Sequence, residues 1–456
     1  MRYKIVIALF IFFQTAMAHA VVEQVNTKLS HQLSPGAFTL KRACEITLKN
    51  NPGIAQAKER INGARAVLRQ ARSAWKPTIS VNAGSTAIQS TIQPDWQQTL
   101  RSDEAFNEFS ASLQMAWLVF DGFSRKANIL ASTHAIEQAE QERQEVQRLL
   151  VQAASTAFQQ ARLALEDMSI ARQNQLFNQT LEQDARVKWR VGTAPEAEVM
   201  NFSVRALRAE SDYLVAQRDF KITCTALVQL MALPGTVLTP EIFPEAGIRT
   251  IEKYSKTYEK ALEQAMLSRP DLKALDAAIL ALKEQLRAEK GKYFPKVFFV
   301  SGMEYLYQQD KILVDEEEHS TYGGINLTWD LYTGGLRRGK VEALAADLRA
   351  LGEQRRKIII AMGAEIEEAL DTADTAYATW EKQEETLILT AKIRNHVEKA
   401  YRAGVDTLTR LNEAQTDLVR ASGAAAASRI EYRISMVNLD AAMGIAIPGK
   451  VESSSL

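Results

Sequence analysis

The chain is poor in the residues that interrupt structure and in those that do chemistry. Gly 21 and Pro 11 are few for 456 residues, so long uninterrupted elements are expected. Only two cysteines, Cys44 and Cys224, exclude a disulfide framework and a cysteine-based zinc site. Five histidines (His19, His31, His134, His319, His396) stand far apart, and there is no HExxH, no GxSxG, no Walker loop and no GxGxxG. No enzyme activity, cofactor or metal site is expected. An excess of one charge is missing too. Lys+Arg 55 against Asp+Glu 55 leaves no basic footprint for nucleic acid and no acidic excess that would favour disorder. Past the N-terminus no apolar run approaches the roughly 20 residues of a spanning helix. If the chain crosses a membrane, it must do so as strands.

What is present begins at the N-terminus. Arg2 and Lys4 precede an apolar run from Ile5 to Phe13, and Ala18-His19-Ala20 supplies small residues for cleavage. Residues 1–20 therefore read as a signal peptide, and no cysteine follows to take a lipid anchor.

An internal repeat organises the remainder. Asn51-Pro52 and Lys76-Pro77 recur as Arg269-Pro270 and Phe294-Pro295, displaced by 218. Trp117 to Gly122, Arg190-Val-Gly192 and Leu230 to Pro234 recur as Trp329 to Gly334, Arg402-Ala-Gly404 and Ala442 to Ala446, displaced by 212. The change in displacement is confined to the stretch between Pro77 and Trp117, as two copies of one unit with a single indel require. The expected division is a first repeat over 21–233, a link over 234–250 rich in proline, a second repeat over 251–446 and a polar tail over 447–456.

Each repeat reads as helix, two strands, very long helix, tight turn, helix. Ser124 to Val191 and Leu336 to Ala403 hold no proline and are rich in Ala, Glu, Gln, Arg and Leu. Helices of roughly 68 residues follow, about 100 Å each. Leu163, Ile170 and Phe177, and Ile359, Ile366, Ala373, Trp380 and Leu387, fall seven apart, as in a coiled-coil or bundle seam. Shorter helices are expected at about 39–75 and 195–232, the latter opened by Pro195 in its first turn. Between them the period switches to two: Phe109, Ala111, Leu113, Met115 and Trp117 alternate with small or polar residues, as do Ile325, Leu327 and Trp329. Four strands of roughly ten residues suit an outer membrane. A soluble antiparallel sheet with one wet face shows the same alternation. Export and the tryptophans at the helix-proximal strand ends favour lipid, and four strands cannot close a barrel, so other copies of the chain must complete it. Cys44 and Cys224 read as small buried residues, and Asp315 to Glu318 as a solvated loop between the last two strands.

This layout resembles the TolC family of outer membrane efflux proteins, through the tandem WLVFDGF and WDLYTGG segments and the RVGT and YRAGVDTL hairpin tips. The resemblance covers about residues 37 to 447. It implies an α+β membrane protein whose duplicated coiled-coil hairpins form a periplasmic α-helical tunnel and whose four strands per protomer enter the twelve-stranded β-barrel of a homotrimer. It further implies an exit duct in the bacterial outer membrane, in contact with its lipid. The duct would serve an efflux pump or a type I secretion ATPase of the inner membrane through a periplasmic adaptor protein. A periplasmic adaptor would carry one hairpin between lipoyl-like and barrel domains, and a secreted coiled-coil adhesin would need no Trp-bounded strands.

The resemblance also nominates sites. Adaptor docking falls at Arg190, Gly192, Thr193, Tyr401, Arg402, Gly404 and Val405, where the glycines end the long helices. Trp117 and Trp329 take the membrane-interface girdle. In the best-studied member two aspartates, six and nine residues after the second tip glycine, line the constriction, and the matching residues here are Arg410 and Glu413. The tether of that member falls on Asp406 and Glu198, which repel. Arg410 is thus expected to pair with Asp406, Glu413 or Glu198 and to hold the tunnel shut.

Overall fold

The structure, a computed structural model, describes residues 38–92, 102–244, 253–255, 257–309 and 317–445. The expected signal peptide, the tail over 447–456 and residues 245–250 of the link lie outside them. In chain order the elements are α1 (Leu40–Asn50), α2 (Pro52–Ser73), β1 (Thr78–Ile92), β2 (Ser102–Phe120), α3 (Ser124–Arg190) and α4 (Glu196–Leu230). After a 3₁₀ turn at Pro240–Ile242 come α5 (Tyr258–Ser268), α6 (Pro270–Gly291), β3 (Lys296–Gln309), β4 (Glu317–Thr328), α7 (Leu336–Arg402) and α8 (Leu408–Ala442). The second set reproduces the first at the displacements read from the sequence. Two compact units divide these residues. A helical unit takes those up to Lys58, Glu142–Leu272 and those from Lys357; a sheet unit takes Glu59–Gln141 and Lys273–Arg356.

The long helices run 67 residues each, close to the expected length. The first helix of each repeat, expected as one over 39–75, is instead two. Asn51 (φ −64, ψ 124) and Arg269 (φ −64, ψ 123) are extended because each precedes a proline, whose ring excludes the helical region for its predecessor. The break is used: Asn51 Oδ1 accepts the Gly53 N–H at 2.9 Å and so starts α2. Pro195 stands at the cap of α4 rather than in its first turn, extended at ψ 152.

In the helical unit three apolar clusters hold the helices. The first joins α1, α3, α4 and the chain after α4, with Phe38, Phe158 and Phe220 each in ring contact with Phe243 at 5.5 to 5.9 Å. The second joins α5, the first turn of α6, α7 and α8 around Leu272, Met362, Ile366 and Leu439. The third lies near the helix tips, with Leu181, Phe202 and Leu411 at its centre. On α7 the expected seam holds in part: Ile366 and Ala373 are buried, while Ile359, Trp380 and Leu387 are half-buried. On α3 it is displaced: Leu163, Ile170 and Phe177 are half-buried, while Ala154, Phe158, Ala161 and Ala164 are buried beside them. Alanine lets the backbones approach and leaves the larger side chains at the flanks.

In the sheet unit the strands form one antiparallel meander, order β1-β2-β3-β4. They run 12 to 19 residues rather than about ten. Glu317 and Glu318, expected in a loop, belong to β4; Asp315 and Glu316 lie outside the described residues.

Candidate functional site

Strand register sorts the side chains into two chemistries. Val81 pairs with Leu113, Leu113 with Met303, and Phe299 with Ile325, so alternate residues from all four strands share one face. That face carries Ile79, Val81, Leu113, Trp117, Met303, Ile325 and Leu327, all exposed, with Ile325 at 78% and Val81 at 74%. The other carries Thr78, Ser80, Asn82, Ser112, Gln114, Glu304, Asn326 and Thr328, with Phe298, Val300 and Leu306 of β3 among them. An exposed apolar face opposite a polar one is the division of a barrel wall between lipid and water. No helix among the described residues is long and apolar enough to cross a membrane.

Each hairpin is fastened to its helices by the same device. The Trp117 indole N–H donates to the Trp75 carbonyl at 2.9 Å, and the Trp329 indole N–H donates to the Tyr293 carbonyl at 3.0 Å. The second residue of each long helix, Arg125 or Arg337, is buried. Arg125 donates to the carbonyls of Ala74, Leu118 and Val119, stacks 4.3 Å from the Trp75 ring centre and faces Asp121 at 3.3 Å. Arg337 donates to the carbonyls of Lys292 and Asp330 and lies over Tyr293. Guanidinium suits this place because its fork of donors satisfies strand-end carbonyls that have left the ladder. Sequence reasoning nominated the two tryptophans for a membrane-interface girdle and missed the two arginines, although the same displacement of 212 superimposes them.

The tips are in the helical unit. Gly192 (φ 77) and Gly404 (φ 75) are left-handed, as a reversal after a long helix requires. Each lies in a Schellman motif: Thr193 N–H donates to the Lys188 carbonyl, and Val405 N–H to that of Ala400, both at 2.9 Å. Arg190, Thr193 and Val405 are exposed. Arg402 pairs with Glu398 at 2.8 Å on its own helix.

Of the three partners expected for Arg410, the structure shows Glu413. Glu198 receives the Tyr401 hydroxyl at 2.8 Å, from the other hairpin. Lys188 Nζ stands 5.1 Å from the Tyr401 ring centre. Burial, the bond to Glu198 and the charges of Glu198 and Asp184 hold the phenol proton well above its usual range, so Tyr401 is a permanent donor. Arg410 does not reach Glu198. It faces Glu413 at 3.7 Å on its own helix with both side chains exposed, and Asp406 accepts the Thr407 N–H. Near the tips one bond between the two hairpins is made by a tyrosine already nominated for docking, and further along Gln415 donates to Asn174 and Arg429 pairs with Glu166.

Cys44 and Cys224 are buried thiols of the first apolar cluster with no disulfide between them, Cys44 lies 3.5 Å from the Ser155 hydroxyl, and burial pushes Cys224 up to about 12. Among the described residues no three His, Cys, Asp or Glu side chains gather to hold a metal.

Comparison with known proteins agrees with this geometry. The family model described as "Outer membrane efflux protein" matches residues 44–233 and again 261–445, one stretch per repeat. The chain is 22% identical over 394 residues to Protein CyaE of Bordetella pertussis, covering 84% of this chain and 79% of that one. It is 21% identical over 412 residues to the pyoverdine export outer membrane protein OpmQ of Pseudomonas aeruginosa, covering 90% and 85%. Among solved structures, the CmeC outer membrane channel of Campylobacter jejuni superimposes with a TM-score of 0.74 at 15% identity, over 91% of this chain and 89% of that one.

Proposed function

The chain belongs to the outer membrane efflux protein family, and from that premise we propose that three copies assemble into an export duct through the bacterial outer membrane. The observation that carries this is the four-stranded sheet, with one exposed apolar face, one polar face and two outer edges that no described strand covers. Open edges are intolerable in hydrocarbon, where each unpaired peptide group costs several kcal/mol, so the sheet must be closed by strands from elsewhere. Three copies make twelve strands, within the range of bacterial barrels. The apolar face meets lipid, the polar face lines the lumen, and Trp117 and Trp329 mark the periplasmic interface, where an indole is half wet.

The long helices continue the duct into the periplasm. A periplasmic adaptor docks at the tips, along Arg190, Gly192, Thr193, Tyr401, Arg402, Gly404 and Val405, and couples the duct to an inner-membrane transporter. The duct supplies a path and no chemistry; its partners supply the energy. Glu198, Asp406, Arg410 and Glu413 sit at the constriction of the closed end. OpmQ is named for the export of pyoverdine, and the duct serves an efflux pump or a type I secretion ATPase.

Mass measurement of the purified protein in mild detergent tests the assembly, with a trimer expected. Epitope tags at Gln98, which lies between β1 and β2 in the sequence, and at Glu317, the first residue of β4, test the orientation and are expected to label on intact cells. Labelling only after permeabilisation would refute it.

A further inference from the structure

The two hairpins have one register. Thr78 faces Ala116 in the first, and Lys296 faces Thr328 in the second, 218 and 212 positions on. Between the hairpins the turn after β2 is seated on the end of α6. Gly122, at φ +66, lies so close that an added Cβ would stand 2.1 Å from the Gly291 carbonyl oxygen. Ser124 donates its hydroxyl to the Ala288 carbonyl at 2.6 Å. All four residues are buried.

The matching positions are bare. Gly334, which corresponds to Gly122, has nothing within 4 Å. Leu331, Tyr332 and Leu336 are 77%, 87% and 59% exposed, whereas Phe120 is half-buried and Ser124 is 8% exposed. Gln70 and Ser73, which stand in α2 where Ala288 and Gly291 stand in α6, are exposed. Every half of the joint that the chain closes within itself is therefore left open once more, at the edges of β4 and β1.

We propose that β4 of one copy pairs antiparallel with β1 of the next in the register that β2 makes with β3. Met115 faces Ser301 and Ala116 faces Val300; displaced by 212 and 218, these become Leu327 facing Ala83 of the partner subunit and Thr328 facing Asn82 of the partner subunit. Trp329 then faces Val81 of the partner subunit, as Trp117 faces Phe299. The chemistry agrees with the geometry. Apolar residues meet small or apolar ones and Thr328 meets Asn82, whereas a slip of one residue would set Leu327 opposite Asn82 and mix the two faces.

The joint at the turn is remade differently. Ser73 has a Cβ where Gly291 has none, and Leu336 has no hydroxyl to offer where Ser124 bonds a carbonyl. The neighbouring helix end therefore stands further off, seated on Leu331, Tyr332 and Leu336. Joints within a copy rest on close backbone approach, and joints between copies rest on apolar side chains.

This inference rests on the trimer reading, and the test separates the two. In a Cys44→Ala, Cys224→Ala background, Leu327→Cys is combined with Ala83→Cys, and separately Thr328→Cys with Asn82→Cys. Neighbouring antiparallel pairs alternate between the wide and the narrow spacing, so one of the two has disulfide geometry, and the polar-face pair remains if the lipid-face pair impairs folding. Displaced controls combine Leu327→Cys with Ser85→Cys and Thr328→Cys with Gly84→Cys, about 7 to 8 Å apart on the diagonal. A matched pair should give a covalent trimer on non-reducing gels, with the displaced pairs giving none. A trimer in mild detergent that links only through the displaced pairs, or through no pair, overturns the register. A monomer overturns the trimer reading and the register with it.

Discussion

Replacing Tyr401 with phenylalanine removes one hydrogen bond and little else. The hydroxyl spans the two hairpins to Glu198 at 2.8 Å, while the ring keeps its place beside Lys188 and the tip cluster. A bond from a neutral donor to a carboxylate contributes about 1.5 to 3 kcal/mol, and a half-buried site puts this one near the lower figure. Each copy carries one. If the tips part together, closure of the trimer loses about 4 to 5 kcal/mol, roughly a thousandfold in the open-to-closed ratio. Conductance of the purified trimer in planar bilayers should therefore rise strongly in Tyr401→Phe. Adding Glu198→Gln should raise it little further, because the two substitutions break the same bond. Arg410→Ala provides the contrast. Its pair with Glu413, at 3.7 Å with both side chains about 60% exposed, is worth under about 1 kcal/mol, so resting conductance should barely change while selectivity shifts towards cations. A Tyr401→Phe channel as quiet as the unmodified one, beside an Arg410→Ala channel that conducts freely, would refute the assignment.

The other expected outcomes follow the same geometry. Gly122→Ala should abolish the trimer, since a methyl group cannot stand 2.1 Å from the Gly291 oxygen, whereas Gly334→Ala meets only the left-handed penalty of about 1 to 2 kcal/mol; equal loss of heat-resistant trimer in both would contradict this. Arg125→Met leaves three carbonyls at the end of β2 and α2 without their donor and should cost about 3 kcal/mol or more, read as a lower temperature of trimer dissociation. Neither cysteine should react with a water-soluble thiol reagent at pH 8 in the native protein, because both are buried and Cys224 is pushed up to about 12; one fast equivalent would disprove the packing. Burial raises the Asp271 carboxyl, but the bonds and charge of Arg269 outweigh it and leave the group below its ordinary 3.8, so its contribution is present above about pH 4 and is lost as the pH falls further. Asp271→Asn should flatten the fall of melting temperature below pH 4, and an unchanged slope would exclude that carboxylate as the cause.

Much of this fold is local, and what is local was legible. Proline-free stretches rich in helix formers determined the 67-residue helices to within a residue, because helix formation depends on neighbours three and four positions away. The two-residue period determined which strand residues share a face, and a glycine just past each long helix determined the reversal. The break before Pro52 and Pro270 is legible as well, because a proline bars the helical region to the residue before it.

Other features belong to tertiary structure. Asn51 and Arg269 occupy one repeat position and reach the carbonyls of Leu230 and Ala442, also one position, with an amide in one case and a guanidinium in the other. No pattern of residue types relates those two solutions; what they share is a helix end to be capped. The seam on α3 follows small residues, because which stripe is buried depends on how near the facing backbones can come. Glu198 and Tyr401 stand 203 residues apart, and Gly122 and Gly291 meet across a comparable stretch of chain. Sequence determined that each such residue was small, charged or a donor. Which partner it met was decided by packing, since contacts between distant segments are set by the shapes of the elements that carry them and not by any local rule of spacing.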